Sequence, residues 1–497
     1  MKKIIIIFST LIFLAYNSFS YEGEIQSDKI NIQMRKVIEK IRFKKYREAI
    51  QQLKKVIRKS PDNFRAKFLL GKCYTQIHAY EKAVNVYGNI LSSSPRNLYA
   101  LLEIASAYQR MYKINKSIYY YKIVEKKAPR SPYPIYGLIQ AYLIKGKLVK
   151  VRQYIDTLEE LKNNFRNSGL IITLFKIKIL NSKNLNMEAY EIVKRALYSY
   201  GEHSRSLLME KFQLLYDMSN LRKAEGIIDR LYKSGYKTKD VYKGLIEISL
   251  EYKNYDLAEK YVEEFNKKFG STFRYYFYKY LISNSKKQRH DSIKYLLKSL
   301  ARNRYQANVH YALVEEYIKS GKMELANQWI KEFEELFKEL RGINFLKVKL
   351  LYKANKKKQS LDLLNNLINR NKNDLSFLIN ASYFLWTKLK NYNFALRLMK
   401  KALKLYPNNE RLLNNLAYFY ATVKEKSLRN PVLALRYAKR AVKLSLGLNA
   451  AFLDTLASAY FSLNNKSKAI EIQRRVIDMN PADPTFRKTL KKFIKKR

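Results

Sequence analysis

The residue types that carry most enzymatic and metal chemistry are scarce and scattered in this chain. Its four histidines are His78, His203, His290 and His310, and no two stand three or four positions apart. No pair therefore shares a helix face, as two metal ligands or an acid–base couple on one helix would. His310 falls where it could line an inner surface, and a lone histidine there reads as a polar lining residue. The single cysteine, Cys73, excludes an intramolecular disulfide framework, a Cys-based zinc site and an iron–sulfur cluster. It stands beside Tyr74 in an apolar run and reads as a small buried hydrophobe, not a nucleophile. HExxH, GxSxG, Walker and GxGxxG motifs are absent. The acid pairs Glu159–Glu160, Glu263–Glu264, Glu315–Glu316 and Glu334–Glu335 lie amid abundant lysine and read as salt-bridging surface charges. The sequence thus predicts no catalytic residue, no metal site, no cofactor and no enzyme.

Binding chemistry remains, and charge is its loudest signal. The 497 residues hold 97 Lys+Arg against 42 Asp+Glu, a net charge of +55. With 47% hydrophobic and 14% aromatic residues the chain has ample core material, which argues against disorder. The basic residues are ordered near the C-terminus. Arg397, Lys400, Lys401 and Lys404 share one helix face, and Arg436, Lys439, Arg440 and Lys443 repeat that spacing. Such a stripe suits anionic lipid headgroups or an anionic polymer. A lysine-rich composition spread over the whole chain is the other reading of the same charge.

The elements that must position these residues announce themselves by repetition. With 14 Gly and 9 Pro the chain is poor in turn formers, so long helices joined by short turns are expected. Pro61, Pro95 and Pro129 recur every 34 residues, each after an apolar helical run. Leu70, Gly71, Tyr74, Ala83, Tyr87, Ile90 and Pro95 follow the spacing L-G-x-x-Y…A-x-x-x-F…P, with Lys67 at a frequent Trp position and Tyr87 for Phe. This resembles the tetratricopeptide repeat, a 34-residue helix–turn–helix. A small residue opening the second helix is the best ruler. It recurs at positions 49, 83, 117, 151, 189, 224, 258, 292, 326, 360, 395, 434 and 469, marking thirteen units. Val151 is its bulkiest occupant. The expected fold is all-α, an α-α superhelix of about thirteen units with a cap helix.

The resemblance implies that the first helix of each unit lines an inner groove that binds peptides or protein surfaces, and that such proteins rarely do chemistry. On that footing Asn380, Asn414, Asn415 and Asp454 face the groove in the last three units, with Phe384, Lys388 and Tyr418 nearby. Asparagine offers donor and acceptor together and so reads an extended backbone. An aromatic set, Tyr133, Tyr136, Phe277, Tyr278, Tyr311, Tyr352, Phe377 and Phe384, also falls on inner positions, where inter-repeat packing is the alternative. The inner faces of the first three units hold residues such as Met34, Ile38 and Leu102, which disfavours capture of an acidic chaperone tail.

The N-terminus has the form of an export signal: Lys2 and Lys3, an apolar run Ile4–Tyr16, then Ser18 and Ser20 at a cleavage site. That run spans about 20 Å as a helix, short of a hydrocarbon core of about 30 Å. No Cys follows it, so a lipoprotein is not expected. The expected organisation is a signal peptide at 1–20, a polar lead-in at 21–29, well-matched units at 30–131, divergent units at 132–375, further well-matched units at 376–483 and a basic cap helix at 484–497. A related two-helix repeat is the alternative for the middle stretch. The expected location is the periplasm or cell envelope. The expected partner is a protein or peptide, with an anionic membrane surface as the alternative, and export disfavours nucleic acid.

Overall fold

The computed structural model describes residues 28–164, 167–182, 185–338, 340 and 343–495. The expected signal segment at 1–20 and most of the lead-in lie outside these residues. Among the described residues are 27 α-helices and no strand. They alternate as thirteen pairs, from Asp28–Arg42 with Tyr46–Lys59 to Ala450–Ser462 with Lys466–Met479, followed by a last helix Pro484–Lys495. The fold is all-α, built of helix–turn–helix units. None of these helices is long and apolar enough to cross a membrane.

Local chemistry fixes the helix ends. The Asn63 and Asn97 side chains each accept from a backbone N–H three residues on, at 2.9 Å, and cap the first helices of units 2 and 3. Asp374, Asn409 and Asn449 do the same for units 11, 12 and 13. Pro61, Pro95 and Pro129 follow second helices that stop at Lys59, Ser93 and Lys127. In eleven of the thirteen units the turn inside the unit places one residue in the left-handed region among the described residues. Gly146 and Gly321 take it, at φ 67° and 76°, as their glycine character predicts. Lys44, His78, Tyr112, Ser219, Lys253, Lys287, Asn355, Lys390 and Asn464 take it too, without that freedom. Backbone bonds hold the turn in place, as where Ala79 N–H donates to the Tyr74 carbonyl at 2.9 Å.

Close helix approach explains the small-residue ruler. All thirteen positions, from Ala49 to Ala469 and including Val151, are 0% exposed. Glycine serves the same purpose on some first helices. A methyl group on Gly71 would lie 2.5 Å from the buried Tyr87 ring, and one on Gly137 would lie 2.2 Å from the Tyr121 ring. The two long ruler spacings are filled by 3-10 turns, Lys162–Asn164 and Lys426–Leu428.

The chain divides into two compact units, Met1–Ser168 with Glu334–Arg341 and Gly169–Phe333 with Gly342–Arg497. The second contains both C-terminal features singled out in the sequence, the asparagine-bearing inner helices and the basic outer ones.

Candidate protein-binding face

Three first helices build the face: Leu375–Thr387, Glu410–Thr422 and Ala450–Ser462. Their charge is sparse for a chain of net +55. The first carries no charged residue, the second only Glu410 and Arg411, and the third only Asp454. The intervening second helices, Tyr392–Leu405 and Pro431–Leu444, carry the two basic stripes. All eight stripe residues, Arg397, Lys400, Lys401, Lys404, Arg436, Lys439, Arg440 and Lys443, are exposed. Among the described residues none is ion-paired with an acid. Arg440 donates to the Asn408 side chain, and Lys439 lies 5.7 Å from the centre of the Tyr460 ring. First and second helices thus differ sharply in charge.

On the first helices one motif appears twice. Asn380, Tyr383 and Thr387 stand at i, i+3 and i+7, and Asn415, Tyr418 and Thr422 repeat the spacing one unit later. These offsets share a helix face. Each threonine hydroxyl donates to the carbonyl of its tyrosine, at 2.7 Å for Thr387 and 2.6 Å for Thr422. Tyr383 is 57% exposed and Tyr418 40%, and Asn380 is exposed as well. Trp386 joins them: its ring is 6.3 Å from Tyr383 and 5.6 Å from Tyr418, and it is seated on buried Phe419 at 5.0 Å. Asn414 and Asn415 are half-buried, and Lys388 is exposed at the end of its helix.

Asp454 closes the face on the third helix. One of its oxygens accepts from Gln473 Nε2 at 2.8 Å. Burial pushes its carboxyl up to about 6, against the lowering effect of the Gln473 bond, and the Asp483 charge adds to the rise. Burial likewise raises Tyr418, and the charge of Asp454 adds to it.

Some expected groove residues are elsewhere. Phe384 is 6% exposed, with its ring 5.6 Å from Phe345 and 5.5 Å from Tyr352, so it is a core residue. It follows Tyr383 by one position, and one helical step of about 100° turns it off the open face. Tyr136 and Tyr278 are buried as well, at 3% and 2%. His310 is 0% exposed, with its ring 5.5 Å from Trp329 and 6.1 Å from Phe333, and burial pushes it down to about 4, the Arg304 charge adding to the effect. It packs in the core and lines no groove. Conversely, Tyr383 and Trp386 were not singled out in the sequence. The repeated N-x-x-Y-x-x-x-T spacing was the signal that marked the first of them.

Paired helices and small-residue contacts now meet a family match over part of the chain. Residues 41–103 match the family described as tetratricopeptide repeat. The chain contains tetratricopeptide repeats. Three solved structures resemble it. Yeast Tom70 shares 15% identity, with 94% of each chain covered and a TM-score of 0.41. The APC/C hetero-tetramer Cut9-Hcn1 shares 13%, covering 95% of this chain and 97% of that one, at a TM-score of 0.38. A tetratricopeptide repeat protein from Parabacteroides merdae shares 17% over 52% of this chain and 99% of its own, at 0.41. At these scores the likenesses carry no inference about partners. Comparison with curated proteins returns no match. Tetratricopeptide arrays are typically scaffolds for protein–protein interaction, not catalysts.

Proposed function

We propose that this tetratricopeptide protein is a non-catalytic scaffold that holds a protein or extended peptide against the first helices of its last three units, in the cell envelope. The observation that carries the reading is exposed Asn380, Tyr383 and Tyr418, with half-buried Trp386 in contact with both tyrosine rings, on helices almost free of charge. Exposed aromatics of this kind act as anchors at protein interfaces. The envelope location rests on the signal-like N-terminal segment alone. The test is site-specific photo-cross-linking in the native host from positions 383 and 418. Position 119 serves as the control, since Tyr119 is 62% exposed on a second helix. Partners cross-linked from 383 and 418 but not from 119 support the reading. The same set from all three positions removes it. A secretion assay with the first twenty residues deleted tests the location.

The eight exposed cations, none ion-paired with an acid among the described residues, favour a second reading, an adaptor held on an anionic lipid or polymer surface by its second helices. The two readings use different faces and are compatible.

A further inference from the structure

Some of the chain's rings lie beneath its own cations. Lys72 sits over Phe68 at 5.5 Å, Arg205 over Tyr236 at 5.0 Å and Lys237 over Tyr232 at 4.3 Å. Among the described residues no Lys or Arg stands over the Tyr383, Trp386 or Tyr418 ring. Asp454 likewise lacks a cation: it is a half-buried carboxylate that no cation partners among the described residues, although cations outnumber acids more than two to one. Its charge reaches Tyr418, which contacts Trp386, which contacts Tyr383. Three ring faces, each carrying negative π density, and one carboxylate thus lie together with their counter-charge missing.

We infer that the Tyr383–Trp386–Tyr418–Asp454 cluster receives a lysine or arginine side chain of the partner polypeptide. The inference rests on the groove reading above and names the chemistry of its occupant. Charge complementarity chooses that occupant over the others. An acidic segment would place its charge against Asp454 and the ring faces. A purely apolar segment would leave Asp454 desolvated and unpaired, which is costly. A cation satisfies both the carboxylate and the rings, and the exposed Asn380 side chain remains for the partner's backbone.

The cluster also makes a signed pH prediction. The groups that face Asp454 are Gln473, Tyr418 and Asp483. The cation binds the ionised carboxylate, so its affinity rises with pH as Asp454 ionises, from pH 5 to 7, and then levels.

The experiment uses the full chain carrying Trp329→Phe, which leaves Trp386 as its one tryptophan. Its fluorescence is titrated with two extended Ser/Ala peptides that differ only in a central lysine or acetyl-lysine. The expected result is binding about 10-fold tighter for lysine at pH 7. That preference shrinks at pH 5 and is lost in Asp454→Asn. Tyr383→Ser, at an exposed position that leaves folding intact, weakens both peptides. Equal affinities for the two peptides, both weakened by Tyr383→Ser, overturn the cation proposal while the groove reading stands. A lysine preference that survives Asp454→Asn and Tyr383→Ser together also overturns the proposal. Absence of binding by either peptide overturns the proposal and counts against the groove.

Discussion

The Ala450 N–H donates to the Met218 carbonyl at 3.1 Å, joining the first helix of unit 13 to the turn inside unit 6. Beside it, Asn220 Nδ2 donates to the Leu448 carbonyl at 3.2 Å, between residues 228 positions apart. Leu448 and Ala482 pack on the core cluster that holds Met218 and Leu221. The second compact unit therefore returns upon itself after between six and seven repeats, and the seam closes the gap between successive turns at that point. The first compact unit contains a contact of the same kind. The ring of Tyr112, in the turn inside unit 3, meets Phe337, just past the second helix of unit 9, at 5.0 Å.

The seam can be loosened at one atom. Asn220 is 2% exposed, and Asn220→Ala leaves the half-buried Leu448 carbonyl without this donor. We expect a cost of about 1–2 kcal/mol. Amide hydrogen exchange at Ala450 should accelerate about 10-fold, with protection around Gly71 unchanged. Equal acceleration at both places would mean general destabilisation, not an opened seam.

The charge of Glu188 reaches Glu410, whose carboxyl should make stability depend on pH. Burial, with the Glu188 charge adding, pushes its carboxyl from 4.5 up to about 7, although its place at a helix start pulls the other way. A raised acid favours the protonated folded state. Its contribution is full below about pH 4.5 and is lost as pH rises toward 7. Glu410→Gln removes that loss. The variant should gain about 2 kcal/mol over the parent at pH 8 and nothing at pH 4.5, read from urea midpoints.

Some of this was legible in the sequence for a physical reason. Close helix approach makes its demand at one residue per unit, so Ala49, Ser117, Ala326 and their counterparts carry the repeat even where proline and glycine landmarks fade. The seam was not legible, because Met218 and Ala450 share no period and their bond uses backbone atoms that any residue supplies. The left-handed turn positions were half-hidden, since Lys44, His78 and Tyr112 do not look like glycine. In the candidate face, Asn380, Tyr418 and Asp454 stood out because polar residues interrupt apolar helices. Tyr383 and Trp386 did not, because an exposed tyrosine among 42 looks like the packing tyrosines around it. Phe384 misled for the converse reason: one position separates an open face from the core.

Glycine contacts give a prediction with opposite signs at two sites. Gly71→Ala drives a methyl group to 2.5 Å from the Tyr87 ring, whose exposure is 0%. It should cost about 1–3 kcal/mol. Gly88 lies within the helix Tyr80–Ser93 with nothing within 4 Å of an added methyl. Gly88→Ala should stabilise by about 0.5–1 kcal/mol, because alanine is the better helix former. Thermal denaturation of the two variants beside the parent checks the pair.

Cys73 should be chemically silent. It is 1% exposed, and burial pushes its thiol up to about 12, so almost no thiolate exists at neutral pH. Maleimide should label the native chain at least about 100-fold more slowly than the urea-unfolded chain at pH 7.5. Rapid native labelling would show that the first helix of unit 2 opens readily.

The basic stripes ask whether position matters or only total charge. Eight exposed cations at repeating sites on two adjacent second helices concentrate field on one patch, whereas the remaining Lys and Arg are spread along the chain. A surface contact contributes about 1 kcal/mol per basic residue and is screened over about 10 Å at 0.1 M salt. Neutralising Arg397, Lys400, Lys401, Lys404, Arg436, Lys439, Arg440 and Lys443 to Gln leaves most of the +55 in place. Binding to phosphatidylglycerol vesicles at low salt should nevertheless fall more than about 10-fold, and its salt dependence should flatten. Eight Lys→Gln changes spread over units 3 to 9 are the matched control. If they weaken binding equally, the net charge acts as a diffuse field and the stripes have no role of their own. If only the stripe variant loses binding, the second helices of units 11 and 12 form the contact, and the inner face stays open to its partner while the protein is held at the surface.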